Sequence, residues 1–198
     1  MGDMAVALSE SEPLVEPAPH RFTVDEFNAL ADSGALGREP RVELVDGVVI
    51  DVPPGYPPHA GNVAAFLRFF IERFGRRACV RPQLSLPVST YSQLEPDIAL
   101  VRWDPGFYRD RHPGPADTLA VVEISYTSLS FDRTTKKRVY GAAGIAEYWI
   151  VDVRGDAIEI HRGAHDLGYR DATVARRGDA VGFAALPDVT FTVDELLG

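Results

Sequence analysis

The 198-residue sequence predicts an α/β (α+β) fold in which a mixed β-sheet is flanked by helices. Three observations predict it. One apolar stripe has the period of a long amphipathic helix, several short apolar runs have the length of strands, and the two kinds of segment are intermingled. Regular strand–helix alternation would instead predict a doubly wound parallel sheet. With 45% hydrophobic residues and no internal linker, the chain has the makeup of one domain with a full core.

Taken in order, residues 1–20 carry Asp3, Glu10, Glu12 and Glu16 with three prolines and no Lys or Arg. They predict a flexible acidic arm ahead of a single domain over 21–198. The string Phe-Thr-Val-Asp-Glu occurs at Phe22–Glu26 and again at Phe191–Glu195, in contexts that do not otherwise match. Thr23 and Thr192 are placed to cap helices whose third residues, Glu26 and Glu195, complete capping boxes. Phe22 with Phe27, and Phe191 with Leu196, have the spacing of hydrophobic staples. The pattern predicts two short helices rather than a duplication.

Residues Arg41–Val52 alternate around Asp46-Gly47 and predict a hairpin. Val63, Phe66, Leu67, Phe70, Ile71 and Phe74 fall on one stripe of a helix that Gly75 ends. Cys79–Val88 alternates like a strand, and Ile98–Val101 and Leu119–Ile124 are unbroken apolar runs. A second helix is expected over Arg133–Ala143, capped by Asp132 and closed by Gly144. Glu147–Val153, Ala157–His161 and Tyr169–Val174 predict three further strands joined by glycine-containing turns.

Charge and motif content narrow the chemistry. Twenty Lys and Arg against 29 Asp and Glu give a net charge of -9, which excludes a generic nucleic-acid coat. The arm holds -4 of this, leaving -5 for the rest. No apolar run approaches the roughly 18 residues of a membrane span. The single cysteine, Cys79, excludes an internal disulfide and predicts a reducing, cytoplasmic setting, with the thiol buried and inert. No phosphate-binding loop, G-x-S-x-G elbow, C-x-x-C or H-E-x-x-H spacing is present. Carboxylates remain as the candidates for chemistry.

Three of them interrupt apolar strand patterns: Glu43, Asp97 and Glu123. A buried ionised carboxylate costs several kcal/mol unless a cation or proton compensates it. Glu123 sits inside Ala120–Ile124, a run that implies a strand buried on both faces. For Glu43 a wet sheet face serves equally well. Lys136 is a candidate partner, because Asp132, Lys136, Val139, Tyr140 and Ala143 share one stripe of the second helix; a solvated Asp132–Lys136 pair is the bland alternative. Two carboxylates on neighbouring strand ends can hold one Mg²⁺, and a nearby lysine can orient water or stabilise a charged phosphorane. Two basic clusters, Arg73/Arg76/Arg77/Arg81 and Arg133/Lys136/Lys137/Arg138, are either solvated surface or phosphate contacts.

At these residues the sequence resembles the PD-(D/E)XK nuclease superfamily and, within it, the Uma-type restriction-endonuclease-like family. The matching pieces run in order: Phe22–Phe27, Glu43–Gly47, His59, Pro96-Asp97, Val122–Ser125, Asp132 with Lys136 and Tyr140, and Gly144–Asp152. The resemblance implies a restriction-endonuclease-like core with Asp97 and Glu123 as Mg²⁺ ligands, Mn²⁺ substituting. Lys136 would be the catalytic lysine, returned from the next helix because Ser125 stands at the superfamily position. Glu43, His59, Ser125 and Tyr140 are implied as supporting residues, with capping or packing an equal reading for His59. Arg133 and Lys137 would contact nucleic acid, DNA would be the substrate, and a homodimer with no membrane association is implied. A non-catalytic module on the same fold is the competing expectation. Hydrolysis of RNA or small phosphodiesters suits the same residues.

Overall fold

The computed structural model describes residues 18–37, 41–53 and 56–198. Most of the predicted acidic arm therefore lies outside the described residues.

Two sheets form the framework. In the smaller, β1 (Val42–Val45) and β2 (Val48–Asp51) pair antiparallel as the predicted hairpin. Asp46 and Gly47 both take left-handed φ, 51° and 83°, as a type I′ turn requires. A Cβ on Gly47 would also lie 2.6 Å from that of Arg21. Strands β4 (Leu86–Ser89) and β5 (Ser92–Leu94) complete the order β2-β1-β5-β4.

The larger sheet contains β3 (Ala78–Pro82), β6 (Ile98–Arg102), β7 (Thr118–Ser125), β8 (Glu147–Asp152), β9 (Ala157–His165) and β10 (Gly168–Arg176). Its order is β10-β9-β8-β7-β6-β3. Only β7 and β8 are parallel, so the sheet is mixed as expected. The run Cys79–Val88 is a correction: it divides between β3 and β4, which belong to different sheets. Gln83 turns the corner with φ 44°, and strand alternation cannot report such a break because both halves keep the period.

Helix α1 (Val24–Asp32) starts at the Thr23 capping box, and α2 (Pro57–Phe74) packs on one face of the larger sheet. Val63, Phe66, Phe70 and Phe74 of α2 are buried, whereas Ile71 is 52% exposed. The stripe is thus narrower than the sequence predicts. Between β7 and β8 the chain runs through α3 (Leu129–Phe131), a π-helical turn (Asp132–Lys136) and α4 (Lys137–Ala142). This corrects the expected start: Asp132 is inside the helical segment rather than its cap, and Gly144 does follow it at φ 77°. The second capping box, at Thr192, opens α5 (Val193–Leu197) after the short pair β11 (Ala180–Val181) and β12 (Phe191–Thr192).

The continuous apolar runs are explained by burial of both faces of the larger sheet. Ile98, Leu100, Val122 and Trp149 join Phe66, Phe70 and Phe74 in one cluster. Ala99, Val101, Val121, Tyr148 and Ile150 face the other way, toward Leu86 and Leu94 of the small sheet and Tyr140 of α4. Among the described residues no helix is long and apolar enough to cross a membrane.

Candidate active site

Asp97 immediately precedes β6, and Glu123 is near the end of β7. The two strands pair antiparallel with Ile98 opposite Val122, so the carboxylates stand side by side one step beyond that pair. Both fall on the face covered by the small sheet and α4. The structure buries them: Asp97 is 9% exposed and Glu123 3%.

Asp97 is held by three donors. Its Oδ2 accepts the Ile124 backbone N–H at 2.8 Å, and its Oδ1 accepts from Gln83 Nε2 at 3.3 Å. The third is His59 in the first turn of α2, whose Nε2 lies 3.0 Å from Oδ1. His59 Nδ1 lies 2.9 Å from the Ile124 carbonyl, which can only accept, so Nδ1 carries a proton. With acceptors at both nitrogens the ring is favoured as imidazolium. The bond to Asp97 accordingly raises its pKa above the usual histidine value, although burial opposes this.

Glu123 Oε1 accepts from Lys136 Nζ and from the Tyr140 hydroxyl, each at 2.9 Å. Its Oε2 has one long contact, 3.4 Å to the Asp97 N–H. Burial pushes the Glu123 carboxyl well above the usual range; Lys136 counteracts this, while Asp97, Asp132 and Glu43 add to it. Lys136 is itself buried, and burial works against its charge. The carboxylates of Glu123, Glu43 and Asp132 outweigh that penalty and raise its pKa.

Glu43, on β1, brings the small sheet into the site. Its Oε1 lies 3.2 Å from Lys136 Nζ and accepts the Glu95 N–H at 3.0 Å. Its Oε2 is buried with no hydrogen-bond partner among the described residues. The wet-face reading of Glu43 is therefore not what the fold adopts. Ser125 takes a different part: with Ser128 it donates to Asp132 Oδ2, at 2.7 and 2.6 Å. Burial raises the Asp132 pKa, against the opposing pull of Lys136 and the two serines.

The geometry brings together Asp97, Glu123, Lys136, Glu43, His59 and Tyr140, and it adds three residues that sequence reasoning did not assign. Gln83 has no signal beyond its position after β3. Asp132 lies on the Lys136 stripe, so its burial at 2% was legible as an alternative to capping. Tyr148 donates to the Asp132 carbonyl at 3.2 Å, and nothing in the apolar run around it marks that role. The second basic cluster is largely engaged: Arg133 pairs with Glu159 and Asp152, and Arg138 with Asp46. Lys136 points inward. Lys137 has no carboxylate partner among the described residues.

Four buried carboxylates face one lysine and one histidine, an excess of two negative charges when all are ionised. The unpartnered Glu43 oxygen and the sparsely bonded Glu123 Oε2 are hard oxygen donors with spare lone pairs. A hard divalent cation fits that charge and donor set. Among the described residues no three acidic, histidine or cysteine side chains converge as a ready-made metal cluster, and the Lys136 ammonium stands between Glu43 and Glu123.

Among solved structures, the chain is similar to the crystal structure of a "putative nuclease belonging to DUF820" from Anabaena variabilis. The TM-score is 0.68 at 17% identity, over 89% of this chain and 97% of that one, a likeness of fold. No curated protein matches. The model of the Uma2 family, described as "Putative restriction endonuclease", matches residues 24–194, which include every residue of the site above. With the fold shared and nearly the whole domain matched, the chain belongs to the Uma2 restriction-endonuclease family.

Proposed function

We propose that the chain is a divalent-metal-dependent endonuclease that hydrolyses DNA phosphodiester bonds, with Mg²⁺ as cofactor and Mn²⁺ as its substitute. The observation that supports this most directly is the side-by-side placement of Asp97 and Glu123 with the Lys136 ammonium 2.9 Å from the latter. Asp97 and Glu123 would hold the cation, and the free oxygen of Glu43 is a further donor. When bound, the cation lowers the pKa of water and screens charge on the phosphodiester. The chain's own residues do the rest. Lys136 provides a fixed positive charge for the developing phosphorane oxygens. Glu43 and Tyr140 hold that ammonium and Glu123 in place. His59, Gln83 and the Ile124 N–H fix the orientation of Asp97, as outer-shell partners do at metal sites. A homodimer would set two such sites against the two strands of a duplex.

The experiment is cleavage of supercoiled, linear and single-stranded DNA with Mg²⁺ or Mn²⁺, alongside calorimetric metal binding. Asp97→Asn and Glu123→Gln are each expected to lose about 10²-fold or more in rate, with weakened metal binding. Lys136→Ala is expected to bind metal and lose about 10²-fold in turnover. Absence of both cleavage and metal binding in the parent protein sinks the nuclease reading. Cleavage that survives both carboxylate substitutions sinks the site assignment. The engagement of Glu123 Oε1 by both Lys136 and Tyr140 favours a second reading, a non-catalytic interaction module, and that first negative result is its signature.

A further inference from the structure

The loop between β6 and β7 has a chemistry that the carboxylate site does not use. Phe107 and Tyr108 are consecutive and both left-handed, with φ 55°, a conformation bulky aromatic residues rarely adopt. Strain of this kind persists where the surroundings impose it, and it clusters at functional sites. Here the Phe107 N–H is held by the Asp104 carbonyl at 3.0 Å and the Tyr108 N–H by Asp104 Oδ1 at 3.3 Å. The result turns Phe107 outward, 54% exposed, edge-on to Trp103 at 5.4 Å.

Arginines surround these rings. The Arg76 guanidinium stands 5.5 Å over Trp103, and those of Arg81 and Arg111 stand 5.8 and 5.1 Å over Tyr108. Arg111 is paired with Asp117, and Asp104 and Asp110 are the loop's other acids. Arg76, Arg81 and Arg109 have no ion-pair partner among the described residues. A guanidinium stacked on a ring keeps its N–H edge available for a phosphate.

The loop is also in line with Asp97. Arg81 is paired across the sheet with Ala99, two residues from Asp97, and Gln83, two residues further, donates to Asp97 itself. Trp103 and Tyr108 pack on the same apolar cluster as Tyr140 and Tyr148 of the site. The edge strand β3 runs from Ala78, opposite Arg102 at the start of the loop, to Pro82, opposite Ile98 beside Asp97. That is about 16 Å at ~3.3 Å per residue, the length of roughly five stacked nucleotides at ~3.4 Å each.

We infer that the β3 sheet edge and the Trp103–Arg111 loop form a track for single-stranded nucleic acid, in which Phe107 stacks on an unpaired base and Arg81 and Arg109 contact phosphates. The inference deepens the proposed function, on which it rests for the link to Asp97. An exposed ring favours single strands because only a splayed base offers it a free face. Paired bases in a duplex do not.

The test is fluorescence anisotropy of a labelled ~12-nucleotide single strand and its duplex, in EDTA across a salt series. The parent protein is expected to prefer the single strand. Phe107→Ala should weaken single-strand binding about tenfold, with duplex binding little changed. Arg81→Ala and Arg109→Ala should each reduce the slope of log affinity against log salt by about 0.7. Leu167→Ala, at a 78% exposed position on the β9–β10 turn, is the control. Equal binding by the parent and Phe107→Ala overturns the inference, as does a parent preference for duplex or an equal loss in Leu167→Ala. Because binding is read without metal, these outcomes are separate from metal-dependent cleavage, whose absence would count against the proposed function alone.

Discussion

Each carboxylate of the site owes its state to what stands within 3.5 Å of it. Asp97 is surrounded by donors, Glu123 shares the Lys136 ammonium with Glu43, and the Glu43 Oε2 has no partner among the described residues. The residue types were legible along the chain, because an acid inside an apolar strand is conspicuous. Their partners were not. Gln83 and Ser125 are ordinary in sequence and acquire roles only from the side chains that the fold sets beside them. Away from the site, Asp117 gives a residue-scale prediction. The Arg111 guanidinium and then the Gly114 N–H depress its pKa to about 2. A carboxylate lowered in the folded state adds stability that is present above its unfolded value, near 3.9, and is lost as pH falls through about 2. Asp117→Asn is therefore expected to be less stable than the parent at pH 6 and to match it more closely by pH 2. Urea midpoints across that range check this, and a constant difference would refute it.

The segment from α3 to α4 shows what an element adds. Its apolar and charged stripe was expected to carry Asp132, Lys136, Val139, Tyr140 and Ala143 on one face; the first four are buried and Ala143 is half-buried. The π-helical turn was not foreseen, because widening of a helix depends on what its backbone must accommodate and such turns recur at functional sites. Two of its surroundings are visible: the serines that grip Asp132 and the Tyr148 hydroxyl on its carbonyl. At the other end, Gly141 of α4 lies directly against Gly168 of β10, where any Cβ would overlap the Gly168 backbone. Gly141→Ala is expected to cost about 1–3 kcal/mol, seen as a lower urea midpoint with an unchanged slope. Because α4 carries Tyr140 and directly follows Lys136, the proposed cleavage should fall as well. Unaltered stability would show that the two elements can separate freely.

At the scale of the molecule, the larger sheet divides labour between its faces. One face buries the phenylalanines of α2, and the other carries most of the site beneath the small sheet. His59 reaches Asp97 from the first turn of α2, about four helical turns before Phe74. Phe70, fully buried on the first face, can therefore be truncated with little consequence for the second. Phe70→Ala is expected to lose about 3–5 kcal/mol of stability while Mn²⁺ affinity by calorimetry stays within about threefold. A parallel loss of metal binding in the folded variant would show that the faces are coupled through the sheet.

Local patterns were sufficient for the mixed α/β class, the Asp46-Gly47 hairpin, both capping boxes and the long helix, and they marked the acids and the lysine as candidates. Those features are written within a few residues, where backbone sterics, capping and side-chain periodicity act. The tertiary structure decided which face each acid occupies, the division of Cys79–Val88 between two sheets, the inward turn of Lys136 and the arrival of Glu43 from a second sheet. These depend on contacts between residues far apart in the chain, and the burial that shifts Glu123 and orients Lys136 exists only once both sheets and the helical segment have closed over them.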